Sequence, residues 1–351
     1  MTGSLMIYGA TGYTGKLLAR VAKERGLAPI LAGRSADRLK PVADALGFTW
    51  RAIDLADAAA LDAGLADIDT VLHIAGPFSH TSRSMLDACL RTGTHYLDIT
   101  GEIDVFEACA ARDGEAQAAG IMVMPGVGFD VVPTDCLAAH LKSRLPDATE
   151  LTLALGGLGH MSRGTAKTGI EGIAHGVRLR RAGKIVEGKT ALRREIDFNE
   201  GPRRTVAVGW GDVSTAFHST GIPDITVYFE ATPQLDRMAD LGPFGRWFLS
   251  RGPVQNWLKR WADRQPEGPS EAQRAAGRSE IVGEVANAAG ERRRVRLTTP
   301  EGYSLTAMTG LEIARRVLNG AAVPGFQTPS RVFGADFITE IDGCERYDLN
   351  A

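Results

Sequence analysis

The sequence predicts an α/β fold: a doubly wound parallel sheet at the amino-terminal end, joined to a second, mixed or antiparallel α+β sheet domain. Three observations carry this. The opening stretch Leu5-Met6-Ile7-Tyr8-Gly9-Ala10-Thr11-Gly12-Tyr13-Thr14-Gly15 takes an apolar strand through glycines at three-residue spacing into a helix. Up to Gly128, short and almost wholly apolar segments alternate with helical ones, as they do where helices cover both faces of a parallel sheet. Beyond Pro133 the segments turn rich in β-branched residues and are separated by glycines and prolines, the pattern of a largely antiparallel sheet.

In chain order, the first strand is followed by helix 16–25, strand 29–33, helix 36–46, strand 49–53 and helix 58–65. Strand 70–75, helix 81–92, strand 95–99, helix 105–119 and strand 121–124 complete a six-stranded domain ending near Gly128. Helix 134–143 then leads to strands 150–155, 205–208, 225–229, 280–287 and 292–298, with a helix over 164–179 opened by Ser162 and Thr165. A well-formed amphipathic helix over 304–318, closed by Asn319-Gly320, is expected to return to the first domain. The expected division is therefore 1–130 as a nucleotide-binding domain completed by the helix in 303–320, 131–302 as a substrate or dimerisation domain, and 303–351 as a return segment.

At 351 residues the chain has length for two domains and a sizeable core. With 23% charged residues and a net charge of -2, it does not have the basic balance of a nucleic-acid binder. Cys89, Cys109, Cys136 and Cys344 have neither CxxC spacing nor accompanying histidines, so they read as buried reduced thiols, and no metal site is expected. No apolar run approaches about 20 residues and no leader pattern opens the chain, so the expected location is cytoplasmic. One stretch complicates that location. Residues 243–261 hold Phe244, Trp247, Phe248, Trp257 and Trp261 among Arg246, Arg251, Lys259 and Arg260. It reads first as a helical flap whose aromatics bury against the domain or against a second copy in a homodimer; the other reading is a peripheral membrane contact.

The glycine stretch is a dinucleotide cradle. Glycines let the turn be tight and let main-chain N–H groups reach a pyrophosphate, and the helix amino terminus, with its unpaired donors and partial positive charge, faces the phosphates. The cofactor-binding set begins with Gly9, Thr11, Gly12, Tyr13, Thr14 and Gly15. After the second strand, where an NAD-selective domain would place an acidic residue for the ribose 2'-hydroxyl, stand Arg34 and Ser35. A guanidinium forks onto a phosphate, so this pair, with Arg38 one turn on, points to the 2'-phosphate of NADP. Asp54 at the end of the third strand either holds the adenine amino group or caps the helix beginning near Asp57. Gly76 after the fourth strand admits the nicotinamide ribose, with Pro77 and Phe78 as an apolar wall beside the ring.

The fifth and sixth strands end in Tyr96-Leu97-Asp98-Ile99-Thr100-Gly101-Glu102 and Pro125-Gly126-Val127-Gly128-Phe129-Asp130 at the same sheet edge. Glu102, Phe129 and Asp130 are substrate-lining candidates there, with helix capping as the competing role for the two acids. In the second domain, His160-Met161-Ser162-Arg163-Gly164-Thr165-Ala166-Lys167 combines cations with a donor-rich helix start, which makes Arg163 and Thr165 candidates for an anionic or carbonyl group. A second polar loop, from Trp210 to Pro223, includes His218. No tyrosine is followed four residues on by lysine, and Gly-x-Ser-x-Gly and HExxH are absent. Chemistry must then come mainly from a nicotinamide cofactor, with the catalytic acid unknown and Lys167 and His218 its only weak candidates.

These residues resemble the saccharopine dehydrogenase-like oxidoreductases, and within them the bacterial trans-acting enoyl reductases. The matching pieces are the cradle, Leu31-Ala32-Gly33-Arg34-Ser35, Ala75-Gly76-Pro77-Phe78, the 96–102 and 125–133 runs and Gly325-Phe326-Gln327-Thr328-Pro329, spread over nearly the whole chain. The resemblance implies an NADP-binding Rossmann domain, a mixed-sheet second domain and reduction of a C=C or C=N bond, with no catalytic residue carried over. The expectation is an NADPH-dependent oxidoreductase reducing an enoyl group of a small-molecule, carrier-linked or lipid-linked intermediate. The alternatives are an imine reductase on an amino-acid substrate and a non-catalytic NADP-binding redox sensor.

Overall fold

The computed structural model describes residues 3–159, 161–172, 176–188, 192–198 and 201–349. The chain divides into two compact units, Met1–Val132 with Tyr303–Val332, and Pro133–Gly302 with Phe333–Ala351.

In the first unit, strands β1 (Leu5–Tyr8), β2 (Ile30–Gly33), β3 (Trp50–Ala52), β4 (Thr70–His73), β5 (His95–Asp98) and β6 (Met122–Met124) alternate with helices. These are α1 (Tyr13–Glu24), α2 (Ala36–Leu46), α3 (Ala58–Leu65), α4 (Phe78–Thr92), α5 (Ile103–Ala110) and α6 (Asp113–Ala118). The order across the sheet is Gly325–Phe326, β6, β5, β4, β1, β2, β3, and every pairing is parallel. The strand order reverses between β1 and β4, and that switch opens a crevice at the carboxyl ends of the strands. Alternate residues feed two cores. Met6, Tyr8, Val71, Tyr96 and Val123 bury with Leu61, Leu65, Met85 and Leu86 of α3 and α4. Leu5, Ile7, Leu31, Leu72 and Leu97 are buried as well and, by the pleat, point to the other face.

The expected single helix over 105–119 is two, α5 and α6, and α1 begins at Tyr13 because the loop's own last glycine, Gly15, sits in its first turn. The sheet has a seventh strand, the two-residue Gly325–Phe326, whose shortness hides it in the sequence.

The second unit comprises α7 (Val132–Arg144), β7 (Glu150–Gly156), α8 (Arg163–Gly172), β8 (Val177–Arg181), β9 (Lys184–Gly188), β10 (Arg193–Asp197), β11 (Pro202–Val208), α9 (Asp212–Thr220) and β12 (Asp224–Glu230). After these come α10 (Pro233–Ala239), α11 (Pro243–Leu249), α12 (Gly252–Ala262), α13 (Glu271–Ala276), β13 (Arg278–Ala286) and β14 (Arg292–Pro300). Helix α14 (Gly302–Arg316) and strand β15 (Gly325–Phe326) belong to the first unit, where a Cβ on Gly310 of α14 would meet Leu72 and Leu18 at 3.6 and 3.8 Å, against the second sheet face. Strand β16 (Glu345–Leu349) closes the chain, so residues from Phe333 onward join the second unit and not the return segment. The second sheet runs β10-β11-β12-β7-β13-β14-β16, with β8 beside β12 and β9 beside β8. It is mixed because β12 pairs parallel with β7 while the other neighbours are antiparallel.

Three expectations fail in this unit, the first being the polar loop from Trp210 to Pro223, which folds as helix α9 over Asp212–Thr220. The helix expected over 164–179 stops at Gly172, and Val177 opens a strand; residues 173–175 lie outside the described residues. The aromatics of 243–261 do not bury against their own domain: Phe244, Trp247, Phe248, Trp257 and Trp261 are all exposed. Among the described residues no helix is long and apolar enough to cross a membrane.

Candidate functional site

The loop between β1 and α1 is built so tightly that a side chain is excluded at Gly9 and at Gly15. Gly9 sits at φ +96°, and its N–H and that of Ala10 both donate to the Ala32 carbonyl, at 2.8 and 3.2 Å. A Cβ on Gly9 would stand 2.8 Å from the Ala75 nitrogen, and one on Gly15 would stand 2.3 Å from the Gly9 oxygen and 2.7 Å from Ala10 Cα. The neighbours in both cases are backbone, which cannot yield as a flexible side chain does. Gly12, by contrast, is exposed and leaves its outer side open. Helix α1 starts there with no side-chain cap and no acidic residue in its first turn, the kind of helix start that can take an anion. Thr11, Tyr13 and Thr14 line this turn, half-buried, and the Tyr13 ring stands edge-on to Tyr303 with centroids 5.2 Å apart.

The ends of β2 and β3 bring Arg34 and Asp54 to one place. Both act electrostatically on the Tyr8 phenol, which donates to the Ile53 carbonyl at 2.8 Å and is pushed up to about 12 by burial and by Asp54, against Arg34. Arg34 is exposed, and Ser35 begins α2 without spending its hydroxyl on the cap. Asp54 does not cap α3; Asp57 does, accepting from the Ala60 N–H at 3.0 Å, while Asp54 accepts from the Ala56 N–H within its own turn.

At the end of β4, Gly76 is exposed, but the wall expected of Phe78 is not there. Phe78 turns into the core, its ring edge-on to His73 at 5.5 Å, because it opens α4 on the buried side; Pro77 stays half-exposed. Burial holds the His73 ring neutral, pushing its pKa down to about 3. Thr81 Oγ1 donates to the Ala75 carbonyl at 2.6 Å, so the 3.0 Å contact to His73 is made by an Nε2–H donor. This pins the Ala75-Gly76-Pro77 turn to the strand below it.

Asp98 closes β5 entirely inside the protein. It accepts from the Tyr96 hydroxyl at 2.5 Å and from the Thr100 and Gly126 N–H groups at 2.9 Å, tying the 96–102 run to the 125–133 run; burial outweighs these bonds and raises it to about 6. Glu102 crosses to the neighbouring helix, where its two oxygens accept from the Phe78 and Ser79 N–H groups, both at 2.8 Å, and so cap α4. Asp130 packs against Gly101, where a Cβ would come 2.8 Å from Oδ2. Burial, and then the Glu102 charge, push Asp130 up to about 7. Phe129 is a core residue whose N–H donates to Thr306 Oγ1 at 3.0 Å, and Thr309 Oγ1 donates to the Val127 carbonyl at 2.8 Å, so α14 stitches this loop in place.

The candidates of the second unit have other duties. Ser162 accepts from the Thr165 N–H at 3.2 Å at the start of α8. Arg163 Nε donates to the Gln265 carbonyl at 2.6 Å, and Lys167 pairs with Asp263 at 2.6 Å, so both cations hold the 263–267 segment. His218 sits in the last turn of α9 with its ring beside Phe217. His160 lies outside the described residues.

The family model of the saccharopine dehydrogenase NADP binding domain matches residues 5–124, the span of β1 to β6. Over that span the first unit is similar to that NADP-binding domain. Among curated proteins, the trans-acting enoyl reductase of Mycobacterium leprae is 36% identical over 149 residues, 40% of this chain and 36% of that protein. Its Mycobacterium tuberculosis counterpart is 37% identical over 155 residues, 40% of this chain and 35% of that protein. The chain thus aligns with little more than a third of the length of the curated relatives it matches. Among solved structures, apo saccharopine dehydrogenase (L-Glu forming) from Saccharomyces cerevisiae superposes with a TM-score of 0.65 at 12% identity, over 99% of this chain and 100% of that one, a likeness of fold.

Sequence reasoning missed what braces the NADP-binding domain: Tyr8, His73 with Thr81, and Asp98 with Tyr96. The signal was a polar or aromatic residue at the carboxyl end of three strands, where a satisfied buried network needs partners that only the fold supplies.

Proposed function

We propose that the chain is an NADPH-dependent oxidoreductase that reduces the C=C bond of an enoyl group on a lipid or polyketide intermediate, carried on a thioester or presented free. The observation that carries the cofactor half is the cradle, where Gly9 and Gly15 have backbone in the place a Cβ would occupy and α1 starts uncapped. Arg34 and Ser35 at the end of β2 favour the 2'-phosphate. The relatives' names support the enoyl half.

When bound, NADPH supplies a hydride to the β-carbon. Reduction then requires a proton at the α-carbon, and Asp130 is the residue we assign to it. It stands at the carboxyl edge of the sheet, half-buried, and keeps its proton up to about pH 7. Glu102 acts as a positioning residue: it caps α4 and its negative charge keeps the Asp130 proton on. Lys167, committed to Asp263, is the weaker donor.

The test is NADPH consumption with a panel of enoyl thioesters and, in parallel, cyclic imines. Turnover of thioesters alone is expected. Turnover of imines alone, or NADPH binding with no turnover of either, overturns the reading in favour of an imine reductase or a redox sensor.

A further inference from the structure

Helix α12 carries apolar side chains on both its sides: Val254 and Leu258 are half-buried and Ala262 is buried, while its tryptophans are exposed. Beside those inward apolar residues, Gln255 Nε2 donates to the Ile170 carbonyl of α8 at 2.9 Å and Lys259 pairs with Glu171 at 2.5 Å, so the side turned to the chain is fully committed. Trp257 and Trp261, one turn apart, are 65% and 53% exposed. The preceding helix α11 continues this surface with Phe244 at 77% and Trp247 at 51%. Four aromatic rings left outward on two successive helices, when α12 has already seated its other side on the chain, mark a surface made for something outside it.

We propose that α11 and α12 form a docking surface for an anionic lipid bilayer, lying in its interface plane. Three observations select this occupant. The exposed rings are tryptophan and phenylalanine rather than aliphatic, the side chains that seat at the boundary between headgroups and acyl chains. Every charged residue from 243 to 262 is basic, in a chain whose net charge is -2, and juxtaposed cations of this kind are drawn to acidic headgroups. The surface is also preorganised: Arg251 stacks over the Trp247 ring at 3.9 Å, and the Phe244 and Trp247 rings stack at 5.7 Å. Self-association through the same face fits less well, because a twofold interface would bring together two patches whose charged residues are all basic, with no acidic residue in either to pair with them. At 7 and 11 residues the helices are too short to span a bilayer.

The experiment is co-sedimentation of the full chain, without cofactor, with phosphatidylcholine vesicles and with vesicles containing phosphatidylglycerol, so its outcome is independent of any reductase activity. At least tenfold tighter binding to the phosphatidylglycerol vesicles is expected, weakening as salt rises, with a blue shift of tryptophan emission. Trp257→Gln combined with Trp261→Gln should reduce that binding at least tenfold while circular dichroism stays unchanged, since both side chains are exposed. Absence of binding to phosphatidylglycerol vesicles, or equal and salt-independent binding to both, overturns the proposal. A dimer in sedimentation velocity that the same paired substitution dissolves also overturns it.

Discussion

Arg34→Ala separates the 2'-phosphate assignment from every other part of the site. Arg34 is exposed at the end of β2 and belongs to no ion pair or side-chain hydrogen bond among the described residues, so its removal takes nothing from the folded chain. A surface change of this kind shifts stability by no more than about 0.5 kcal/mol. What it removes is one charge-assisted contact to a phosphate, worth about 1.5–3 kcal/mol, or roughly a 10- to 150-fold loss of NADPH affinity. Asp54 sharpens the contrast. It faces the same phenol as Arg34, and with the guanidinium gone it confronts a 2'-phosphate as a like charge but a bare ribose hydroxyl as an acceptor. NADH affinity should therefore hold steady or rise. Isothermal calorimetry of the wild type and Arg34→Ala with both cofactors reads the four constants directly, and raising the salt should shrink the NADPH preference because the contact is exposed. Equal weakening for both cofactors, or none for either, would refute the assignment.

The cradle's geometry makes Gly15→Ala costly, about 1–3 kcal/mol by thermal denaturation together with lost NADPH binding, because the new methyl meets backbone at 2.3 Å; Gly114→Ala, in α6 with nothing within 4 Å, should instead raise the melting temperature. Asp130→Asn should lower kcat/KM by roughly 10²-fold or more and abolish the fall in activity as pH rises through about 7; an unchanged alkaline limb would remove Asp130 from the mechanism. The same substitution bears on stability. A carboxyl whose folded-state pKa is raised from 3.8 to about 7 stabilises fully below pH 3.8 and loses that contribution as pH rises through 7. Asp130→Asn should therefore be more stable than wild type at pH 8, by about 1–2 kcal/mol after allowance for partial exposure, and denaturant titrations at pH 5 and 8 measure the difference. Glu102→Gln should cost about 1–2 kcal/mol by weakening the α4 cap, and should move the alkaline limb of the pH profile below its wild-type position because the charge that keeps Asp130 protonated is gone.

Local chemistry in the sequence determined the nucleotide-binding half. Apolar strand runs, glycines at three-residue spacing and the Ala36–Leu46 and Ala58–Leu65 helices are short-range facts, set by backbone freedom and hydrophobic period within a dozen residues. The same applies to Arg34, whose meaning comes from its place one residue past a strand. Tertiary structure decided the rest, because the remaining signals depend on partners distant in the chain. The polar strands Arg193–Asp197 and Glu345–Leu349 are strands only because β11 and β14 offer them an edge. Phe78 is core and not wall because of where α4 begins, and Glu102 is a cap because that same turn lies beside it. Asp130 becomes a proton-holding acid through burial and a neighbouring charge, and α12 faces its tryptophans outward because Ile170 and Glu171 of α8 hold Gln255 and Lys259 on its other side. Solvation and charge proximity are properties of a folded environment, and no window of sequence contains them.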